Sequence, residues 1–192
     1  MKGFTLVELV ISVAIFAVMT ALVIAKYGTF NQNTILTNMA YDMALTIRTA
    51  QTYGLSVKSN SSNVFSSAYG IHFAGNDNTH FTLYTYTAST NAGGQTTYAL
   101  DQSITKYTIT QGAKISQICL GIQLSQCSTN TLGSGDQLDI IYKRPNPNAI
   151  FSSTNSALDV SQPITFVSIT SQDGSKTETV YIRKNGQISV GN

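Results

Sequence analysis

Tryptophan is absent from the 192 residues, cysteine and histidine occur twice each, and proline only three times. The two cysteines, Cys119 and Cys127, are too few for a disulfide scaffold and lack the C-x-x-C spacing of a zinc or redox site, which leaves one local bridge or two free thiols. A metal needs three or four ligands with second-shell support, and His72 and His80 have only Asp77 nearby. Charge is scarce too: Asp, Glu, Lys and Arg together make 10% of the chain, the net charge is +2, and basic residues adjoin only as Lys143-Arg144 and Arg183-Lys184. No basic tract announces a polyanionic partner. There is no G-x-S-x-G, H-E-x-x-H, P-loop or G-x-G-x-x-G pattern, and the Ser-rich loops and scattered Asp residues fit turns and caps. No catalytic residue, cofactor or metal is expected.

Uncharged polar residues take the place of charge. Ser, Thr, Asn and Gln make 72 positions, beside 10 Tyr and 14 Gly. A Thr- and Tyr-rich composition favours a β module outside the cytoplasm over a charged cytosolic enzyme. The length suits one domain of about 100 to 150 residues plus an appendage.

The appendage is at the start. Phe4 to Ala25 reads FTLVELVISVAIFAVMTALVIA with one charge, and as a helix of about 33 Å it spans the hydrocarbon core of a bilayer. A secretory signal has an apolar region of only about 7 to 15 residues and an A-x-A cleavage site, which does not follow here. A plain membrane anchor accounts for the length but not for Glu8. An ionised side chain at the bilayer centre costs about 3 kcal/mol on insertion scales, so such groups usually have a partner. Glutamate occurs only at Glu8 and Glu178, so a generally Glu-rich composition does not explain its position. Glu8 asks for a cation.

Lys2-Gly3-Phe4-Thr5-Leu6-Val7-Glu8 resembles the processing motif of type IV prepilins and type II secretion pseudopilins. The resemblance implies that a membrane prepilin peptidase cuts between Gly3 and Phe4, that Phe4 is N-methylated, and that Glu8, then the fifth mature residue, meets the N-terminal amine of a neighbouring subunit. Residues 1–3 are then a cleaved leader, 4–25 a transmembrane and assembly helix, 26–58 an amphipathic continuation and 59–192 a β-rich extracytoplasmic head. Met39-Ala40-Tyr41-Asp42 through Gln51-Thr52-Tyr53-Gly54, and Tyr69-Gly70-Ile71-His72-Phe73, resemble H-type pseudopilins and minor pilins. With the head in an oxidising compartment, Cys119 and Cys127 are expected to form a local disulfide across a weakly structured loop; two buried free cysteines are the alternative.

Beyond Lys26, Tyr27 to Asn33 are poor helix formers, and Gly28 predicts loosening. Leu36, Met39, Ala40, Met43, Ile47 and Ala50 then recur at the spacing of one helical face, which should dock the head. Gly54 and the cluster Ser59 to Asn63 mark the helix end. Strands are expected at Tyr69 to Phe73, Phe81 to Thr87, Lys106 to Thr110, Leu138 to Lys143, Ile164 to Thr170, Thr177 to Lys184 and Gln187 to Val190. Asp173-Gly174 and Asn185-Gly186 supply hairpin turns, so the last three strands should form an antiparallel meander. The fold class is α+β: a long N-terminal helix on an antiparallel sheet head.

If Ile71, Phe73, Phe81 and Leu83 share the buried face, His72 and His80 are neighbours on the opposite, solvated one. Lys143-Arg144 and Arg183-Lys184 are a candidate basic patch for DNA, the less favoured reading. Tyr84, Tyr86, Tyr98 and Tyr107 are packing residues before they are stacking platforms. The expected function is that of a non-enzymatic subunit of a type IV pilus or type II secretion pseudopilus. It is a single-pass protein of the inner (cytoplasmic) membrane with Lys2 cytoplasmic, carried into a periplasmic or cell-surface fibre. Its partners are other pilin-like subunits, the prepilin peptidase, the inner-membrane assembly machinery and membrane lipid. The rivals are a membrane-tethered extracytoplasmic binding module, a DNA-uptake minor pilin and a membrane-tethered hydrolase.

Overall fold

The computed structural model describes residues 3–56, 58, 59, 65, 68–94, 96–128, 131–154 and 158–191. The chain divides into two compact units, Met1–Ile35 and Leu36–Asn192. Leu36 opens the second because it is the first member of the buried helical stripe. Helix α1 (Leu6–Leu55) contributes to both. Residues 25–31 are helical, so the loosening expected at Gly28 is absent. One glycine costs about 1 kcal/mol relative to alanine, and a helix already nucleated on both sides propagates through it.

In the second unit, Leu36, Ala40, Met43, Ile47 and Ala50 are buried, and Met39 packs against them half-covered. Among the described residues nine strands follow. β1 (Ala68–Ala74), β2 (His80–Thr90), β3 (Thr96–Thr108), β5 (Gln137–Lys143) and β6 (Asn146–Ser153) form one sheet in the order β3-β2-β1-β5-β6. β4 (Lys114–Gly121), β7 (Ile164–Thr170), β8 (Thr177–Arg183) and β9 (Ile188–Gly191) form another in the order β4-β7-β8-β9. Every pairing is antiparallel. The architecture is the expected α+β, with two sheets where one was anticipated. The helical stripe shares a single core with Ile71, Phe73, Leu83, Leu138 and Ile140 of the first sheet and Ile118, Leu120, Val167, Ile169, Val180 and Ile182 of the second. The Ala149 amide, donating to the Lys184 carbonyl at 2.8 Å, ties β6 to the end of β8.

β7, β8 and β9 form the anticipated meander, with Gly174 and Gly186 at φ 72° and 86°. β4, β6 and most of β3 were not anticipated. β3 is exposed along most of its length and shows no apolar alternation, so only its threonines hint at a strand. A bulge between Ile115 and Gln117 breaks the two-residue period of β4. β6 opens with Asn146-Pro147-Asn148, which reads as a turn; on an edge strand, however, a proline removes no ladder bond.

Candidate processing and assembly site

Gly3 and Phe4 precede α1. A Cβ built on Gly3 meets nothing within 4 Å, so no packing inside the chain requires a glycine there. Phe4 is 78% exposed. Thr5 is the N-cap: its Oγ1 accepts from the Glu8 amide at 3.3 Å and its carbonyl from the Leu9 amide at 3.2 Å. That makes Glu8 the third helical residue, and Thr5-Leu6-Val7-Glu8 has the T-x-x-E spacing of a capping box, a signal legible in the sequence but passed over there. Glu8 therefore sits in the first turn, where the helix dipole favours an anion, rather than midway along the apolar run. Among the described residues its carboxylate has no hydrogen-bond or ion-pair partner within the chain.

The segment Leu6–Ile24 is long and apolar enough to cross a membrane, and none of it is buried. Leu6, Phe16, Val18, Leu22 and Ile24 are each more than 60% exposed. Its hydroxyls are already satisfied: Ser12 Oγ donates to the Glu8 carbonyl and Thr20 Oγ1 to the Phe16 carbonyl, both at 2.8 Å. Such back-bonding lets a polar residue face hydrocarbon without an unmet donor. Apart from Glu8 the surface offered is apolar, and it suits a membrane anchor.

Cys119 lies in β4 and Cys127 in a short 3-10 helix, Leu124–Ser128, and the two are joined by a disulfide with Cα atoms 5.3 Å apart. The bridge stands against Phe166 and Tyr181, so a strand and a helical turn replace the weakly structured loop expected there. Closing a nine-residue ring contributes about 2.6 kcal/mol in the chain-entropy model. Reduction is expected to leave the second unit folded but to lower its melting temperature by roughly 5 to 10 °C. Alkylation mass shifts and thermal melts check this; free thiols in protein recovered from outside the cytoplasm, or identical melts, contradict it.

The two histidines share a face diagonally across the β1–β2 pair but do not bond to each other: His72 pairs with Asp139 and His80 with Asp77. His72 sits opposite Thr82 and His80 opposite Thr108. Nor is His72 solvated: its Nδ1 lies 2.7 Å from Asp139 Oδ1, with only 13% of its side chain exposed. His80 meets Asp77 at 2.9 Å. Burial pulls the Asp77 carboxyl upward, but hydrogen bonds from His80 and Thr79 outweigh it and hold the group below the ordinary carboxylate range. Among the described residues no cluster of three or more His, Cys, Asp or Glu is placed to hold a metal.

Of the candidate basic patch, Arg144 donates to the Ser56 and Phe65 carbonyls and Lys184 to the Ser161 carbonyl. Tyr107 stacks on Phe81 with centroids 5.3 Å apart. Tyr86 donates to Asp139 at 2.8 Å, and burial, together with that carboxylate, pushes its hydroxyl far above the usual tyrosine range. Asp139 was passed over in sequence because a lone Asp amid apolar residues does not reveal its cross-strand partners.

Residues 1–24 match the model of the prokaryotic N-terminal methylation motif. This segment is a type IV pilin-like prepilin processing motif. No curated protein and no solved structure matches the chain.

Proposed function

We propose that the chain is a structural subunit of a type IV pilus or a type II secretion pseudopilus. The observation that carries this reading is the methylation motif joined to an apolar helical surface, Leu6–Ile24, of which nothing is buried. An exposed apolar surface of this size calls for lipid or other chains. Both satisfy it. Lipid tails are as apolar as neighbouring helices, so moving the segment from bilayer to a bundle of like helices changes its solvation little and leaves packing and polar pairing to decide the outcome. In this reading the peptidase removes residues 1–3, Phe4 becomes the methylated N-terminus, and Glu8 matches the N-terminal ammonium of the next subunit. The subunit has no catalytic task of its own, and the head lies outside the cytoplasmic membrane.

Cleavage between Gly3 and Phe4 is the direct test. Intact-mass analysis of the chain made with a native prepilin peptidase is expected to give a mature product beginning at methylated Phe4, while Gly3→Val keeps Met1 to Gly3. Gly3 has open space around it, so Gly3→Val meets no packing obstacle and loss of cleavage reports recognition by the peptidase. A mature N-terminus elsewhere, or equal processing of both forms, rejects the proposal.

A further inference from the structure

One face of the β3-β2-β1-β5-β6 sheet packs on the helical stripe. The other carries a second cluster, which among the described residues comes from the sheet: Ala68, Tyr86 and Ile141, flanked by Tyr84, Tyr98 and Ile150. These three central residues are at most 1% exposed. The sheet curls on this side, because its two edge strands, β3 and β6, line one cleft. The curl sets Thr96 to Leu100 of edge strand β3 and Ile150 to Thr154 at the β6 edge on either side of a cleft of about 460 Å³. That size falls within the range of about 300 to 1,000 Å³ typical of small-molecule sites.

Asp139 lines this cleft and is 8% exposed. Its Oδ1 takes both the Tyr86 hydroxyl at 2.8 Å and His72 Nδ1 at 2.7 Å. These bonds fix the carboxylate and leave Oδ2 without a donor among the described residues. Ser152 stands directly opposite Asp139 in the β5–β6 register. Gln137, two residues before Asp139 on β5, projects from the same face. Among the described residues neither the Ser152 hydroxyl nor the Gln137 side-chain amide has a partner. The carboxylate and the hydroxyl thus occupy facing positions, about 5 Å apart, with the amide two residues along the same face of β5, about 7 Å from Asp139. Tyr98, Leu100 and Ile150 supply the apolar part of the lining.

We propose that this cleft binds a neutral saccharide. A ligand that fits needs several hydroxyl groups to give to and take from Asp139, Ser152 and Gln137, and a C–H face to lie on Tyr98. An anion is disfavoured because no Lys or Arg is among the described residues that line the cleft. A cation finds one carboxylate among them, with one oxygen already holding two donors. The site belongs to the head alone and does not depend on assembly into a fibre.

Saturation-transfer NMR on the full chain in an amine-oxide detergent, which has no sugar headgroup, tests this with maltotriose, cellotriose and tri-N-acetylchitotriose as probes and spermidine as the cationic comparison. At least one trisaccharide is expected to bind saturably with a Kd of about 1 mM or tighter. Ser152→Phe fills the cleft from the β6 edge, and Tyr98→Ala removes the facing ring from β3; each is expected to weaken binding at least tenfold while Asp139, His72 and Tyr86 keep their own side chains. Because the two variants approach from opposite edges, a folding defect in one leaves the other to decide. The proposal is overturned if none of the three sugars binds saturably, if spermidine binds in their place, or if sugar binding survives the variants that fold.

Discussion

Glu8→Val is expected to remain in the membrane fraction while its yield in fibres falls by at least about a hundredfold. Two costs oppose each other. In lipid, valine relieves the penalty of a carboxylate in the apolar segment, about 3 kcal/mol at a bilayer centre and less near its edge; insertion therefore does not suffer. In an assembled bundle, the variant leaves a neighbour's N-terminal ammonium without its match, and removing one partner of a buried pair costs about 3 to 5 kcal/mol. The capping box adds a competing local role, since Glu8 is the third helical residue after the Thr5 cap. Glu8→Gln separates the two, because glutamine serves a capping box as well but carries no charge. If pairing governs assembly, Gln fails in fibres as Val does; if capping governs it, Gln restores the yield. Wild-type fibre yield from Glu8→Val contradicts the pairing role outright.

Legibility followed local physics. The apolar run, its single carboxylate and the helical stripe from Leu36 to Ala50 are statements of composition and period, and the structure places the run from Leu6 onward, the carboxylate and the stripe on α1. The final meander was readable because Asn185-Gly186 and Asp173-Gly174 demand positive φ, and both glycines adopt it. What escaped is whatever depends on partners distant in sequence. β3 is held by pairing to β2 from Thr90↔Thr96 to His80↔Thr108, not by an apolar pattern of its own. His72 read as solvated because alternation puts it on the face away from Ile71 and Phe73. The curl that buries this face, and Asp139 at position 139, are invisible from residue 72. Two sheets in place of one likewise follow from which edges fail to pair, a property that no single strand encodes.

Gly54→Ala is expected to destabilise the second unit by about 1 to 3 kcal/mol, lowering its melting temperature by roughly 3 to 10 °C. Read as helix punctuation near the end of α1, Gly54 invites the opposite expectation: alanine in place of an exposed helical glycine gains about 1 kcal/mol in propensity. The packing decides otherwise. Gly54 is buried, and a Cβ there stands 2.4 Å from the Tyr142 carbonyl oxygen and 2.9 Å from its Cβ. Tyr142 cannot yield easily. It is fully buried in β5, flanked by β1 and β6 and paired to both Tyr69 and Ala149. The Gly54 carbonyl also accepts from the Arg144 amide at 3.0 Å, so pushing helix and strand apart stretches that bond as well. Overpacking of about 1 to 3 kcal/mol is set against this smaller propensity gain, and a clash with main chain rather than a flexible side-chain end belongs at the upper part of the overpacking range or beyond it. Thermal melts of the full chain in detergent, wild type against Gly54→Ala, check the sign. A higher melting temperature for the alanine variant means that the helix end separates from β5 readily, and that Gly54 is punctuation alone.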